Sequence, residues 1–215
     1  MPLLHSKQIN SNTVLGIWRL EEPLEDLLKA LPPHANVDER LAQVHPRRQR
    51  EWLASRVLAY KLLEDLTPLP LQLLRNQHGR PYFSDSRFHV SISHSPALAA
   101  VILSDTYEVG IDIELISPKA LRVQEKFLTD QEKNYTLADE RETCLYWSAK
   151  ETLYKMYSRK QLIFKENLSV APLDEANILQ GRVQTENFSK LYHIHHETLH
   201  SHVLTYCIDK QSAQV

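Results

Sequence analysis

Val109-Gly110-Ile111-Asp112-Ile113-Glu114 reads as a strand that carries two acids. Side chains alternate along a strand, so Asp112 and Glu114 share one face while Ile111, Ile113 and Leu115 share the other. The apolar face anchors the strand and the acids are presented together. Gly110, just before them, suits a bend or a close approach of another backbone. Taken alone, Asp-x-Glu also fits an ordinary half-exposed strand with a solvated acidic face.

A second stretch, Trp147-Ser148-Ala149-Lys150-Glu151-Thr152-Leu153-Tyr154-Lys155, lies in a segment with helical pattern from Leu137 to Tyr157. Asp139 or Thr136 can cap its start. Leu145, Ala149, Thr152, Leu153 and Met156 fall on one side of that helix. Cys144, Trp147, Ser148, Glu151 and Lys155 fall on another. Glu151 and Lys155 form an i, i+4 pair in the favourable order, worth roughly a few tenths of a kcal/mol if it is only a surface pair. Trp147, one turn earlier, argues against full exposure. Three converging carboxylates, Asp112, Glu114 and Glu151, are costly to bury unless a cation meets them. A hard divalent ion such as Mg²⁺ is the usual guest of such oxygens.

Together the two stretches resemble the signature motifs of the 4'-phosphopantetheinyl transferases, G-[IV]-D-[IVL]-E and W-x-x-K-E-x-x-x-K. Gly79-Arg80-Pro81-Tyr82 resembles the family's G-[KR]-P turn. Val90-Ser91-Ile92-Ser93-His94-Ser95 is similar to its strand ending in S-H-S. Arg56, in Trp52-Leu53-Ala54-Ser55-Arg56, resembles an arginine that the family places on a long helix before that turn. The resemblance runs from about residue 40 to 170, and its specificity comes from several unrelated short patterns in register.

The resemblance implies transfer of 4'-phosphopantetheine from coenzyme A to a serine hydroxyl of an apo acyl or peptidyl carrier protein, as in holo-acyl-carrier-protein synthases. Adenosine 3',5'-bisphosphate is released. It implies Mg²⁺, with Mn²⁺ as an alternative, on Asp112, Glu114 and Glu151. Glu151 is the expected base for the serine, and Lys155 is expected to meet the pyrophosphate. Arg56, Arg80, Ser93 and His94 are the expected coenzyme A contacts, together with Lys155. Arg80 stands where many relatives have Lys, which keeps the charge but changes its geometry. Lys150, turned roughly 100° from Glu151 on the helix, either helps at the phosphates or is solvated. Arg47, Arg48 and Arg50 can meet the nucleotide or an acidic carrier helix, or be solvated surface. Lys119, Arg122 and Lys126 are candidates for docking an acidic carrier. Val123, Phe127 and Leu128 pack inward or add an apolar docking spot.

The expected fold class is α+β: two pseudo-symmetric halves, residues 1–105 with the nucleotide contacts and 106–215 with the metal and catalytic residues. The family places its active site in the cleft between such halves. At 215 residues the chain resembles the long, surfactin-synthetase-activating type, which folds both halves from one chain, so a compact monomer is expected. The short type of the family is about half this size and forms a trimer.

Along the chain, a strand is expected over Thr13–Leu20, a short helix over Pro23–Leu31, and a long amphipathic helix over Pro46–Leu66. Leu71–Phe83 reads as a hairpin turning at Asn76–Gly79. Strands follow at Phe88–Ser93, Ala97–Leu103 and Tyr107–Leu115, then short helices at Lys119–Leu128 and Asp130–Leu137. After the motif helix come strands near Leu168–Ala171, Asn177–Gln184, Lys190–His196 and Ser201–Ile208.

Composition narrows the alternatives. A net charge of −2 lacks the basic excess of a general nucleic-acid binder. Cys144 and Cys207 make no disulfide framework and are expected to be reduced, in a cytoplasm. No apolar run reaches the roughly 20 residues of a membrane span, and no signal-peptide pattern opens the chain. With four glycines in all, a Gly-rich phosphate loop is absent. His193, His195, His196, His200 and His202 crowd one C-terminal hairpin, but no Cys or carboxylate completes an obvious tetrahedral set, so a polar strand face is expected. Two other readings remain: a metal-dependent phosphodiesterase or nuclease using the same carboxylates, and a non-catalytic relative that binds carrier or coenzyme A.

Overall fold

The computed structural model describes residues 3–37, 41, 43–159 and 161–211. The chain divides at Val109–Gly110 into two compact units, one running to Val109 and taking in Lys210 and Gln211, the other spanning Gly110–Asp209. Each is α+β, with one long helix laid on an antiparallel sheet.

In the first unit β1 (Leu3–Asn10), β2 (Thr13–Arg19), β5 (His89–His94) and β6 (Leu98–Ser104) form a sheet in the order β1-β2-β6-β5. Helices α1 (Leu24–Ala30) and α2 (Pro46–Glu64) follow β2, and the short hairpin β3 (Leu73–Arg75) and β4 (Pro81–Phe83) precedes β5. Helix α2 starts as Pro at the first turn predicts, with the His45 side chain accepting from the Arg47 amide as a cap. Its Leu53, Val57, Leu58 and Leu62 pack with Val14, Trp18, Val90 and Val101 of the sheet into one core. The hairpin turns where expected. Gly79 takes a left-handed φ of 81°, and the Asn76 side chain accepts from the amides of His78 and Arg80. Strand β1 was not expected from the sequence. Both of its faces are largely exposed, and backbone pairing to β2 holds it.

Strand β7 (Glu108–Leu115) runs from the first unit into the second. There follow α3 (Pro118–Arg122), a 3-10 turn (Gln124–Lys126), α4 (Asp130–Thr136), α5 (Glu140–Tyr157), α6 (Phe164–Asn167), and the strands β8 (Leu168–Pro172), β9 (Ile178–Thr185), β10 (Phe188–Leu199) and β11 (His202–Asp209). The sheet order is β7-β11-β10-β9-β8. The core joins Leu145, Ala149, Leu153 and Met156 of α5 to Val170, Leu179, Val183, Ile194, Val203 and Cys207 of the strands.

Two helix expectations need correction. The helix expected over Lys119–Leu128 is α3 and a 3-10 turn, because Val123 leaves helical backbone at ψ 10°. The motif helix does not begin at Leu137. Leu137 and Ala138 both adopt positive φ, and Asp139 then caps α5 by accepting from the Glu142 amide at 2.9 Å. Cys144 and Cys207 are buried free thiols, both pushed up to about 12 chiefly by burial. Among the described residues no helix is long and apolar enough to cross a membrane.

Gly110 is needed for close approach. A Cβ there would lie 2.9 Å from Met156 Sδ and 3.0 Å from the Thr152 carbonyl oxygen. Methionine can yield, but the helix backbone cannot. Gly110→Ala should therefore cost about 1–3 kcal/mol in urea unfolding, by prising β7 from α5. A neutral result would show that the strand has room to shift.

Candidate active site

The acidic strand and the motif helix meet as the alternation predicts. Asp112 is buried at 4 % exposure and Glu114 is half-buried, while Ile111 and Ile113 are fully covered. From α5, Lys155 donates to Asp112 Oδ1 at 2.9 Å and to the Ile111 carbonyl at 2.8 Å. Trp147, two turns earlier on α5, donates from Nε1 to Glu114 Oε1 at 2.9 Å. Its indole is stacked on Phe164 and edge-on to Phe127, with centroids 5.4 and 5.0 Å away. An aromatic cluster thus fixes the donor that fixes Glu114.

The electrostatics show three carboxylates sharing one neighbourhood. Burial, then the Asp112 charge, raise the Glu151 carboxyl to about 7; Lys155 opposes this and Glu114 adds to it. Glu114 is also raised, by burial and then by Asp112, against the Trp147 hydrogen bond and the charges of Lys119 and Lys155. Asp112, Glu114, Glu151 and Lys155 therefore form one cluster in the second unit. As the side chains stand, no group of three or more His, Cys, Asp or Glu among the described residues is arranged to hold a metal ion. In this structure Lys155 supplies a positive charge to Asp112. The donor chemistry nonetheless suits a hard divalent ion: three carboxylates, two of them destabilised in the charged form by burial and then by the Asp112 charge.

Lys150 is the clearest correction to the sequence reading. It is neither solvated nor presented to a ligand; it is fully buried. Its ammonium donates to the Phe127 carbonyl at 2.5 Å, Glu132 Oε2 at 2.8 Å and the Phe164 carbonyl at 3.4 Å. Glu132, exposed by 2 %, also accepts from the Thr129 and Val170 amides. This buried pair ties α4, α5 and β8 together. Phe127 and Leu128 are buried in the same region, so they pack inward and form no docking spot, while Lys119, Arg122 and Lys126 are exposed.

The expected coenzyme A contacts of the first unit occupy separate places. Arg56 is buried on α2 with its guanidinium 3.3 Å from the centroid of the Trp52 ring. Ser93 is buried near the end of β5, and His94 closes that strand half-exposed. Arg80 forms an ion pair with Glu108, whose other oxygen lies 3.4 Å from His89 Nδ1 at the start of β5. The His89 hydrogen bond and the Arg80 charge hold the Glu108 carboxyl down at about 2 despite its partial burial. Five residues of strand, about 16 Å, separate His89 from His94, so the structure does not bring Arg80 and His94 together. Arg47 is paired with Glu51 at 3.0 Å. In the C-terminal hairpin, neighbouring His195 and His196 point to opposite faces, His195 stacks on Tyr206, and His202 is buried.

Sequence reasoning missed Glu51, Glu108 and Glu132. Only Glu132 carried a usable local signal: Thr129-x-x-Glu132 is a capping box, and the structure makes both of its hydrogen bonds.

Two family models and several curated relatives match the chain. Residues 108–207 match the 4'-phosphopantetheinyl transferase superfamily model, and residues 37–104 match the 4'-phosphopantetheinyl transferase N-terminal domain model. The chain is similar to the 4'-phosphopantetheinyl transferase AcpT of Escherichia coli, with 40 % identity over 94 residues, 43 % of this chain and 45 % of the relative. It is 32 % identical to AcpT of Salmonella typhi over 124 residues, 55 % of this chain and 59 % of that one. The alignments span about half the length of the curated relatives.

Proposed function

The chain belongs to the 4'-phosphopantetheinyl transferase superfamily, and we propose that it transfers 4'-phosphopantetheine from coenzyme A to a serine of an apo acyl or peptidyl carrier protein. The observation that carries this reading is the cluster of Asp112, Glu114 and Glu151 with Lys155 against Asp112. In the reaction the serine Oγ forms a bond to the phosphorus that bears pantetheine. The bridging P–O bond of the pyrophosphate breaks, and its electrons leave with adenosine 3',5'-bisphosphate. The serine proton must be taken up, and Glu151, with its carboxyl near 7, is matched to accept it directly or through water. Lys155 supplies positive charge to the pyrophosphate and to the departing nucleotide.

Asp112, Glu114 and Glu151 would hold Mg²⁺, or Mn²⁺, which when bound supplies charge neutralisation on the pyrophosphate. The indole of Trp147 orients Glu114 for that role. Trp147→Phe keeps a ring on Phe164 but removes the donor, so Mn²⁺ affinity should fall about 10- to 100-fold in a titration, with little change in melting temperature. Unchanged affinity would separate Glu114 from the metal. Lys155→Ala should lower kcat more than it weakens coenzyme A binding, because its charge is needed most on the departing group; a change confined to KM would place Lys155 in ground-state binding alone.

Coenzyme A recognition is assigned to Arg56, Arg80, Ser93 and His94 of the first unit, and the exposed Lys119, Arg122 and Lys126 suit an acidic carrier. The chain is expected to act as a monomer in the cytoplasm. The test is nucleotide release. Adenosine 3',5'-bisphosphate should appear in proportion to carrier modified and not without carrier. Release without carrier would indicate a phosphodiesterase, and no release with any carrier a binding protein.

A further inference from the structure

Three buried hydroxyls of the second unit have no part in the chemistry above. Ser148, Thr152 and Thr205 are each fully covered. Thr205 stands on β11, the strand between the acid-bearing β7 and β10. Its Oγ1 lies 2.9 Å from Ser148 Oγ and 2.7 Å from Thr152 Oγ1, both on α5. Thr152 Oγ1 also donates to the Thr205 carbonyl at 3.3 Å. Thr205 Oγ1 has one proton and two lone pairs, so a single hydroxyl serves two residues one turn apart on the helix. Thr152 meets the acid strand as well: its carbonyl oxygen lies 3.0 Å from where a Cβ on Gly110 would stand.

The packing around these hydroxyls is apolar. Leu145, Ala149, Leu153 and Met156 of α5 share a core with Val203 and Cys207 of β11. Apolar burial is non-directional, so it presses the helix onto the sheet without selecting one rotation about the helix axis. Hydrogen bonds are directional, and two of them converging on Thr205 select one. That rotation matters because Lys155, seven residues after Ser148, continues the line of Ser148 and Thr152, and Glu151 stands beside Thr152. A helix side chain ends about 5–6 Å from the axis, so a turn of about 10° carries it about 1 Å. A misplacement of about 1 Å can cost on the order of 10²-fold in rate.

We infer that Thr205 is a positioning residue for the transfer: its hydroxyl fixes the rotation of α5 and so sets Trp147, Glu151 and Lys155 against the acid strand. The inference rests on the proposed function, and its test separates the two. The full chain would be followed by steady-state transfer to an apo carrier protein with Mg²⁺, and by the indole N–H resonances in a nitrogen–proton NMR spectrum. Trp147→Phe identifies the resonance of Trp147, whose Nε1 bonds Glu114, while Trp18 and Trp52 lie in the first unit. Thr205→Val should move the Trp147 resonance and leave the other two in place. It should lower kcat about 10- to 100-fold and keep KM for coenzyme A within about twofold. Thr205→Ser keeps the hydroxyl and should restore both readouts. A purely structural role would lower activity only in step with the folded fraction and would leave the resonance of the folded molecules unmoved. If Thr205→Val fails to fold, Thr152→Val, which leaves Thr205 bonded to Ser148, should show the same shift and a smaller loss of kcat. Where the wild type transfers, a folded variant with an unmoved Trp147 resonance, or with the kcat of Thr205→Ser, overturns the role of Thr205 alone. A wild type that modifies no carrier overturns the proposed function, and the role of Thr205 in transfer with it.

Discussion

Lys150→Met should destabilise the protein by about 3–5 kcal/mol in denaturant unfolding, the cost of leaving a buried charge without its partner. The substitution keeps the volume of the side chain and removes only the ammonium. Left behind would be the Glu132 carboxylate, exposed by 2 %, together with the Phe127 and Phe164 carbonyls that the ammonium now meets. Burial pulls the Lys150 pKa down, and the Glu132 charge is the chief force holding it charged. Adding Glu132→Gln should recover part of the loss, because the stranded charge goes while an acceptor for the Thr129 and Val170 amides remains. A loss below about 1 kcal/mol, the range of an exposed pair, would contradict the buried assignment. Activity should fall only as far as folding does, which separates Lys150 from Glu151 beside it in the chain.

Glu151→Gln is expected to do the reverse: lose activity and gain stability. Transfer should drop about 10²–10⁴-fold, the range for removal of a positioned base. The stability change has a definite pH dependence. Burial and the neighbouring Asp112 charge push the Glu151 carboxyl up to about 7 in the folded chain, from an ordinary value near 4.5. The folded state therefore binds the proton more tightly, so the group favours folding below about 4.5 and loses that contribution as pH rises through about 7. Above pH 7 the wild type carries the full penalty of a buried charge, about 3 kcal/mol, and the glutamine variant does not. Melting without divalent ions should show the variant gaining on the wild type between pH 5 and 8. Mg²⁺ should narrow the gap by stabilising the wild type. A variant that loses activity but gains no stability at pH 8 would mean that Glu151 is not electrostatically strained. Asp112→Ala should likewise abolish transfer while the fold survives.

The parts of the site that were legible in the sequence obeyed simple periodicity. Asp112 and Glu114 follow strand alternation, Trp147, Glu151 and Lys155 follow helical spacing, and both arrived where that geometry puts them. The same periodicity located most of the strands and α2 to within a few residues. What it could not reach falls into two kinds. Strand β1 is largely exposed on both faces, so Leu3–Asn10 carries no buried stripe to betray it. The start of α5 was misplaced because Leu137 and Ala138 turn left-handed with no glycine to mark them. Tertiary pairing is the second kind. Glu51 with His94, Arg80 with Glu108, and Glu132 with Lys150 are 43, 28 and 18 residues apart along the chain, and no local rule selects one carboxylate among many for such a partner. Lys150 shows the consequence: its angle on the helix was readable, but only the positions of α4 and α6 reveal that this direction points into the core.

The central claim is transfer to a carrier serine, and mass spectrometry of an apo carrier protein incubated with this chain, coenzyme A and Mg²⁺ tests it most directly. The account predicts a mass gain of one 4'-phosphopantetheinyl group on the serine, lost with EDTA and with Glu151→Gln. A panel of acyl and peptidyl carriers all left unmodified, by a chain that binds coenzyme A, would contradict it.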